Sequence, residues 1–177
     1  MPIRTTLELA LSARRRVFVS YHHAGDQTYY NAFSAAFHAK YQVIYDNSLD
    51  RAHNSEDPAY ILRQIRENNL TGSSCTIVLC GAETHRRKYV DWELQASLSQ
   101  QMGLLALRLP TLVSAVPGGV VMVPKRVHDN IQTGYAVWEN WSTAVASSDA
   151  LSRLVELALA KPKRLIDNAA PRLQRNG

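Results

Sequence analysis

Cys75-Thr76-Ile77-Val78-Leu79-Cys80 is followed by the polar loop Gly81-Ala82-Glu83-Thr84-His85-Arg86-Arg87-Lys88 and by Tyr89-Val90-Asp91-Trp92-Glu93-Leu94-Gln95-Ala96-Ser97-Leu98; then comes Leu104-Leu105-Ala106-Leu107-Arg108-Leu109. The first and last runs are short, nearly all apolar and rich in branched residues, as befits strands covered on both faces. The middle stretch has helical spacing and is expected to run from Tyr89 to about Met102. Strand, helix, strand at this spacing is a βαβ unit, which calls for parallel pairing.

The same alternation continues outward. Upstream, Val17-Phe18-Val19-Ser20-Tyr21 and Tyr41-Gln42-Val43-Ile44-Tyr45 read as strands. Gly25-Asp26 reads as a break, and Tyr29 to Lys40 as a helix carrying Tyr29, Ala32, Phe33, Ala36 and Phe37 on one face. A polar loop, Asp46 to Glu56, leads to a helix with Pro58 in its first turn and Asp57 or Ser55 as cap, ending near Asn68-Asn69. Downstream, Pro110 to Pro124 is irregular, with a turn at Pro117-Gly118-Gly119; Tyr135 to Trp138 is a short fifth strand; and Asp149 caps an amphipathic helix closed by Pro162. The expected fold is α/β: a flavodoxin-like, doubly wound parallel sheet of about five strands with helices on both faces. Its ligand crevice belongs at the carboxyl ends of strands one and three, where strand order reverses.

A chain of 177 residues is one domain's worth. The boundaries read as a basic N-terminal tail at 1–14, the domain at 15–160 and a basic C-terminal tail at 161–177. The net charge of +5 is carried by the ends. Residues 1–16 hold four Arg against one Glu, residues 161–177 five Lys/Arg against one Asp, and the body 11 Lys/Arg against 13 Asp/Glu. A duplex-binding footprint should be a patch on the folded body, so the charge reads as solvated tails and not as a nucleic-acid site. No apolar run approaches membrane-spanning length, and the order of charges at the start does not suit a secretory signal, so the expected location is the cytoplasm, with no membrane partner. Cys75 and Cys80, an odd separation apart on one strand, point to opposite faces and stay reduced. The six His show no metal spacing, and no metal is expected.

The crevice lacks the GxxxxGK[ST] and GxGxxG loops, the acidic residues of a phospho-acceptor and a GxSxG elbow. Glu93 remains. With Val90, Leu94 and Ser97 as helix neighbours it sits at the edge of the sheet-facing side: either a solvated helix carboxylate or one half buried at the crevice mouth, where perturbed groups concentrate.

Three segments in this order, VFVSYHH (Val17–His23), VIYDNSLD (Val43–Asp50) and SCTIVLCGAETHRRKYVDWEL (Ser74–Leu94), resemble the TIR-like domains of bacterial antiphage systems, closest to the TIR subunit of the Thoeris system. The likeness covers about residues 14–110; Tyr89 stands where many TIR domains carry Trp. It implies NAD⁺ as substrate rather than bound cofactor, Glu93 as catalytic carboxylate, nicotinamide release, and an ADP-ribose-type signal nucleotide, cyclic among the possible forms, acting on a separate effector protein. It further implies a phage-derived trigger and a weak or trigger-dependent homo-oligomer. Around Glu93, each substrate-contact assignment stands beside a structural one. Tyr21 and His22 either meet the nucleotide or shape their loop. Asp46, Asn47 and Ser48 either reach ribose hydroxyls or make a turn. Thr84 either caps the helix or touches substrate. Arg87, with Arg86, either meets the pyrophosphate or is solvated. Trp92 is either a nicotinamide platform or core. Two other functions fit the same residues: a non-enzymatic TIR-like interaction module, and a different flavodoxin-like N-glycosyl enzyme such as a nucleoside deoxyribosyltransferase.

Overall fold

A computed structural model describes residues 14–44 and 57–177. Five strands, β1 (Arg15–Ser20), β2 (Tyr41–Ile44), β3 (Ser73–Cys80), β4 (Gly103–Arg108) and β5 (Val137–Asn140), form one sheet in the order β2-β1-β3-β4-β5. Every pairing is parallel. Strand order reverses between β1 and β3, as the βαβ reading requires.

Period-two alternation divides the core between the two faces. Val17 and Val19 of β1 and Cys75, Ile77 and Leu79 of β3 pack under α1 (His23–Phe37) and, on the same face, α6 (Ser148–Leu159). Phe18, Val78 and Cys80 face the other way, toward α2 (Pro58–Gln64), α3 (Lys88–Ser99) and α4 (Lys125–Gln132). The short α5 (Trp141–Ala144) lies between β5 and α6. Cys75 and Cys80 fall on opposite faces, both buried and both free thiols.

Differences from the expected elements have local causes. Helix α1 begins at His23, not Tyr29, because Gly25 and Asp26 do not break it. They form its first turn, where an acidic side chain complements the helix dipole. Gly25 fits because a Cβ there would come within 2.9 Å of the His22 ring. Asp57 caps α2 as expected, its Oδ1 accepting from the Ala59 N–H at 3.0 Å, but the helix gives way to a π-helical turn at Ile65–Leu70. Ser147, not Asp149, caps α6, accepting from the Ala150 N–H at 3.0 Å. Helix α4 was not anticipated at all. It has little apolar content: of its buried residues, Arg126, Val127 and Asn130, two are polar, and its apolar face is only Val127 with Ile131.

The segment from Pro162 onward does not behave as the charge count suggests. It packs along α3 and α4 as a strap. Leu165 and Ile166 join the core cluster on that face, and Lys163 Nζ donates to Tyr135 Oη at 3.1 Å. No helix among the described residues is long and apolar enough to cross a membrane.

Candidate active site

Ser20 is the last residue of β1, and alternation aims it at the α3 side of the sheet, two positions beyond Phe18. Glu93 lies in the second turn of α3. Parallel pairing of β1 with β3, followed by the return of α3 across the sheet, brings these residues together from 73 positions apart. Ser20 Oγ donates to Glu93 Oε2 at 2.5 Å. The two side chains are 1% and 5% exposed, so the carboxylate is buried rather than half-buried. Below it the helix is tied to the sheet by a polar chain: Ser97 Oγ donates to the Glu93 carbonyl at 2.8 Å and lies 2.7 Å from Thr76 Oγ1 of β3. Glu93 is thus braced at its carboxylate from β1 and at its backbone from β3.

A second buried carboxylate stands at the same end of the sheet. Asp26, in the first turn of α1, is 3% exposed and lies against Gly81, so closely that a Cβ at residue 81 would collide with both carboxylate oxygens. Thr84 Oγ1 reaches Asp26 Oδ2 at 3.3 Å and the Leu79 carbonyl at 3.2 Å, and accepts from the Gly81 N–H at 2.8 Å. Burial pushes the Asp26 carboxyl above its ordinary range, with the Thr84 hydroxyl pulling partly the other way. Asp26 was not among the expected site residues, and neither was Ser20. A serine at a strand end and a Gly-Asp pair both read as ordinary punctuation; only the pairing of β1 with β3 reveals them.

Around these carboxylates the expected contact residues separate. His22 occupies the N-cap position of α1 and, with Gly25, Asp26, Ala82, Glu83 and Thr111, lines a cavity of about 190 Å³ in the crevice. Tyr21 points to the opposite face from Ser20. Its ring stacks between His23 at 4.2 Å and Tyr30 at 4.7 Å, and its hydroxyl donates to Gln27 Oε1 at 2.9 Å. Thr84 is 1% exposed, its hydroxyl engaged within the loop. Arg87 Nη2 pairs with Glu83 Oε2 at 3.3 Å. Trp92 is buried in the cluster with Phe18 and Ile61, and its Nε1–H donates to the Leu173 carbonyl at 2.9 Å. Asp46, Asn47 and Ser48 lie outside the described residues.

Asp91 departs most from a solvated helix residue. It is 4% exposed, and its Oδ1 accepts from Nε of the fully buried Arg126 at 2.9 Å. On the α2 side of the sheet an open cleft of about 650 Å³ is lined by Tyr60, Arg63, Arg66 and Glu67 together with Asp57 and Ala59. Among the described residues no group of His, Cys, Asp and Glu is arranged to hold a metal ion.

At the strand-order reversal, the buried Glu93 carboxylate braced by a strand-end serine is a group able to stabilise developing positive charge. No curated protein matches the chain. The family model for the TIR-like domain of the Thoeris protein ThsB matches residues 18–114, a span from within β1 to the loop after β4 that takes in Ser20, Asp26, the Gly81–Thr84 loop and Glu93. With more than half of its length matched and the five-stranded parallel sheet that such a domain requires, this chain belongs to the Thoeris ThsB TIR-like domain family.

Proposed function

We propose that this chain cleaves NAD⁺ at the nicotinamide–ribose bond and releases an ADP-ribose-type signal nucleotide in bacterial antiphage defence. The observation that carries the reading is the buried Glu93 carboxylate held by Ser20 where strand order reverses, within a domain of this family. The chemistry needs little more. As the C1′–N bond breaks, its electron pair leaves with nicotinamide, which departs neutral, so no general acid is required. The ribose develops oxocarbenium character, and one carboxylate in a water-poor crevice stabilises that charge. Water can then attack C1′ and lose a proton, giving ADP-ribose. A hydroxyl or ring nitrogen of the same molecule can attack instead, giving a cyclic product.

The product acts on a separate effector, the reaction runs in the cytoplasm, and a phage-derived trigger releases it. The loop from 110 to 124 exposes Val113, Val116, Val120 and Met122, the valine at 120 to 87%. Covering such residues with a second copy gives a weak or trigger-dependent homo-oligomer. Mass photometry across a concentration series is expected to show a higher species that Val120→Asp with Met122→Asp removes; a chain that stays monomeric at full turnover rules the oligomer out. For the reaction itself, NAD⁺ is added to lysate from phage-infected cells making the protein, and products are read by mass spectrometry. Nicotinamide together with a new ADP-ribose species is expected. Absence of both in infected cells, or nucleoside exchange without NAD⁺ turnover, defeats the reading.

A further inference from the structure

The strap grips α3 along the side opposite its sheet contacts, and it does so at the residues bracketing Glu93. The Leu173 N–H donates to Asp91 Oδ2 at 2.9 Å, and the Leu173 carbonyl accepts from Trp92 at 2.9 Å. Asn168 Nδ2 donates to the Gln95 carbonyl at 3.1 Å. Asn176 Oδ1 accepts from the Lys88 N–H at 3.0 Å, filling a helix start that has no side-chain cap of its own. The anchor is Arg126. Its guanidinium is fully buried and divides its donors between Asp91 on the helix and the strap, giving to Asn168 Oδ1 at 2.7 Å and to the Ala170 carbonyl at 2.5 Å. A buried cation with each neighbour an acceptor is a specific lock, since losing one partner leaves an unpaired charge in the core.

We infer that the strap, locked by Arg126 and Asp91, is a positioning device that sets the placement of α3 and so holds the Glu93 carboxylate in register with Ser20. One face of α3 is fixed to the sheet at Glu93 and Ser97; the strap fixes the other face at Lys88, Asp91, Trp92 and Gln95. The strap's hydrogen bonds on α3 fall at Lys88, Asp91, Trp92 and Gln95, so it acts through the helix. Only the kinetic arm of the test rests on the function proposed above.

Two changes in the full chain separate this role from simple support of the fold. Asp91→Leu with Arg126→Met exchanges the buried pair for apolar side chains and unhooks the strap. Leu173→Pro removes one strap donor and leaves the pair intact, while Leu173→Ala keeps the backbone N–H and carbonyl. Hydrogen exchange is followed at the amides of Lys88 to Gln95 and of residues 167 to 177, beside kcat and KM for NAD⁺ under conditions that give turnover. Both disruptive variants are expected to melt cooperatively, to exchange at least tenfold faster along the first two turns of α3, and to lose tenfold or more in kcat with KM within twofold. Leu173→Ala is expected to match the unaltered chain. Unchanged α3 exchange in a folded variant whose strap has lost protection overturns the inference. So does a strap that stays protected in both variants, or global unfolding by Leu173→Pro, which would make the strap part of the core. If the unaltered chain never cleaves NAD⁺, the proposed function fails and the exchange measurements alone decide the positioning role.

Discussion

Exchanging Glu93 for Gln keeps the side chain's shape and its ability to accept from Ser20, and removes only the charge. The variant is expected to fold normally and lose about 100-fold or more in NAD⁺ cleavage, roughly 2.7 kcal/mol of transition-state stabilisation. Ser20→Ala removes a hydrogen bond to a charged acceptor and is expected to cost about 10-fold to 100-fold, with Glu93→Gln/Ser20→Ala no worse than Glu93→Gln alone. Full activity in folded Glu93→Gln rejects the assignment. At Asp26 the sign is fixed by burial. A carboxyl held above its ordinary value of 3.8 favours the folded state while protonated, and that contribution fades as pH rises through the raised value. Asp26→Asn mimics the protonated form, so its Tm is expected to exceed that of the unaltered chain at pH 7 to 8, the gap closing toward pH 4. A constant gap would show that charge is not the cause. Helical spacing put Glu93 at the edge of the sheet-facing side and left its burial open; the family resemblance singled it out. Ser20 and Asp26 were not legible, because their partners lie 73 and 58 positions away and only strand pairing supplies them. The burial of Asp91 is hidden in the same way, since its partner Arg126 lies 35 positions away.

At the scale of elements, the loop after β3 shows how tightly this end of the sheet is packed. Gly81→Ala would drive a methyl group into the Asp26 carboxylate, and a loss of about 1–3 kcal/mol is expected in a denaturant titration. In an Asp26→Ala background most of that loss should vanish; additive losses would mean that the loop backbone, not the carboxylate, sets the limit. The sheet itself was readable because buried parallel strands advertise themselves as apolar runs between loops. All five were found, with β5 displaced by two residues. What escaped were features with little apolar content. Helix α4 is held by Arg126 and Asn130, whose side chains satisfy backbone groups of the strap, Asn130 Nδ2 donating to the Asp167 carbonyl at 2.7 Å. Helix α1 starts earlier than expected because Gly and Asp serve a first turn as well as a loop.

For the molecule as a whole, charge is a poorer guide than pattern. One basic residue that looked like solvated tail is built into the fold: Lys163 sits 5.3 Å from the centre of the Tyr135 ring and donates to its hydroxyl. The two faces of the core each enclose one thiol. Burial pushes Cys75 up to about 12 and raises Cys80 as well. Iodoacetamide at pH 8 is therefore expected to label neither in the native protein and both in denaturant, at a rate tracking global unfolding; rapid labelling of one would reveal local opening of its face.

The long reach of the strap sets an order of events during synthesis. Leu173 follows Asp91 by 82 residues. At about 5–20 residues per second, roughly 4–16 s pass between the ribosome adding the one and adding the other. Helix α3 and its carboxylate can meet Ser20 well before the outer clamp exists. A nascent chain therefore carries Ser20 and Glu93 before it carries the strap that grips the outer side of α3, so the inner brace forms first and the outer clamp last.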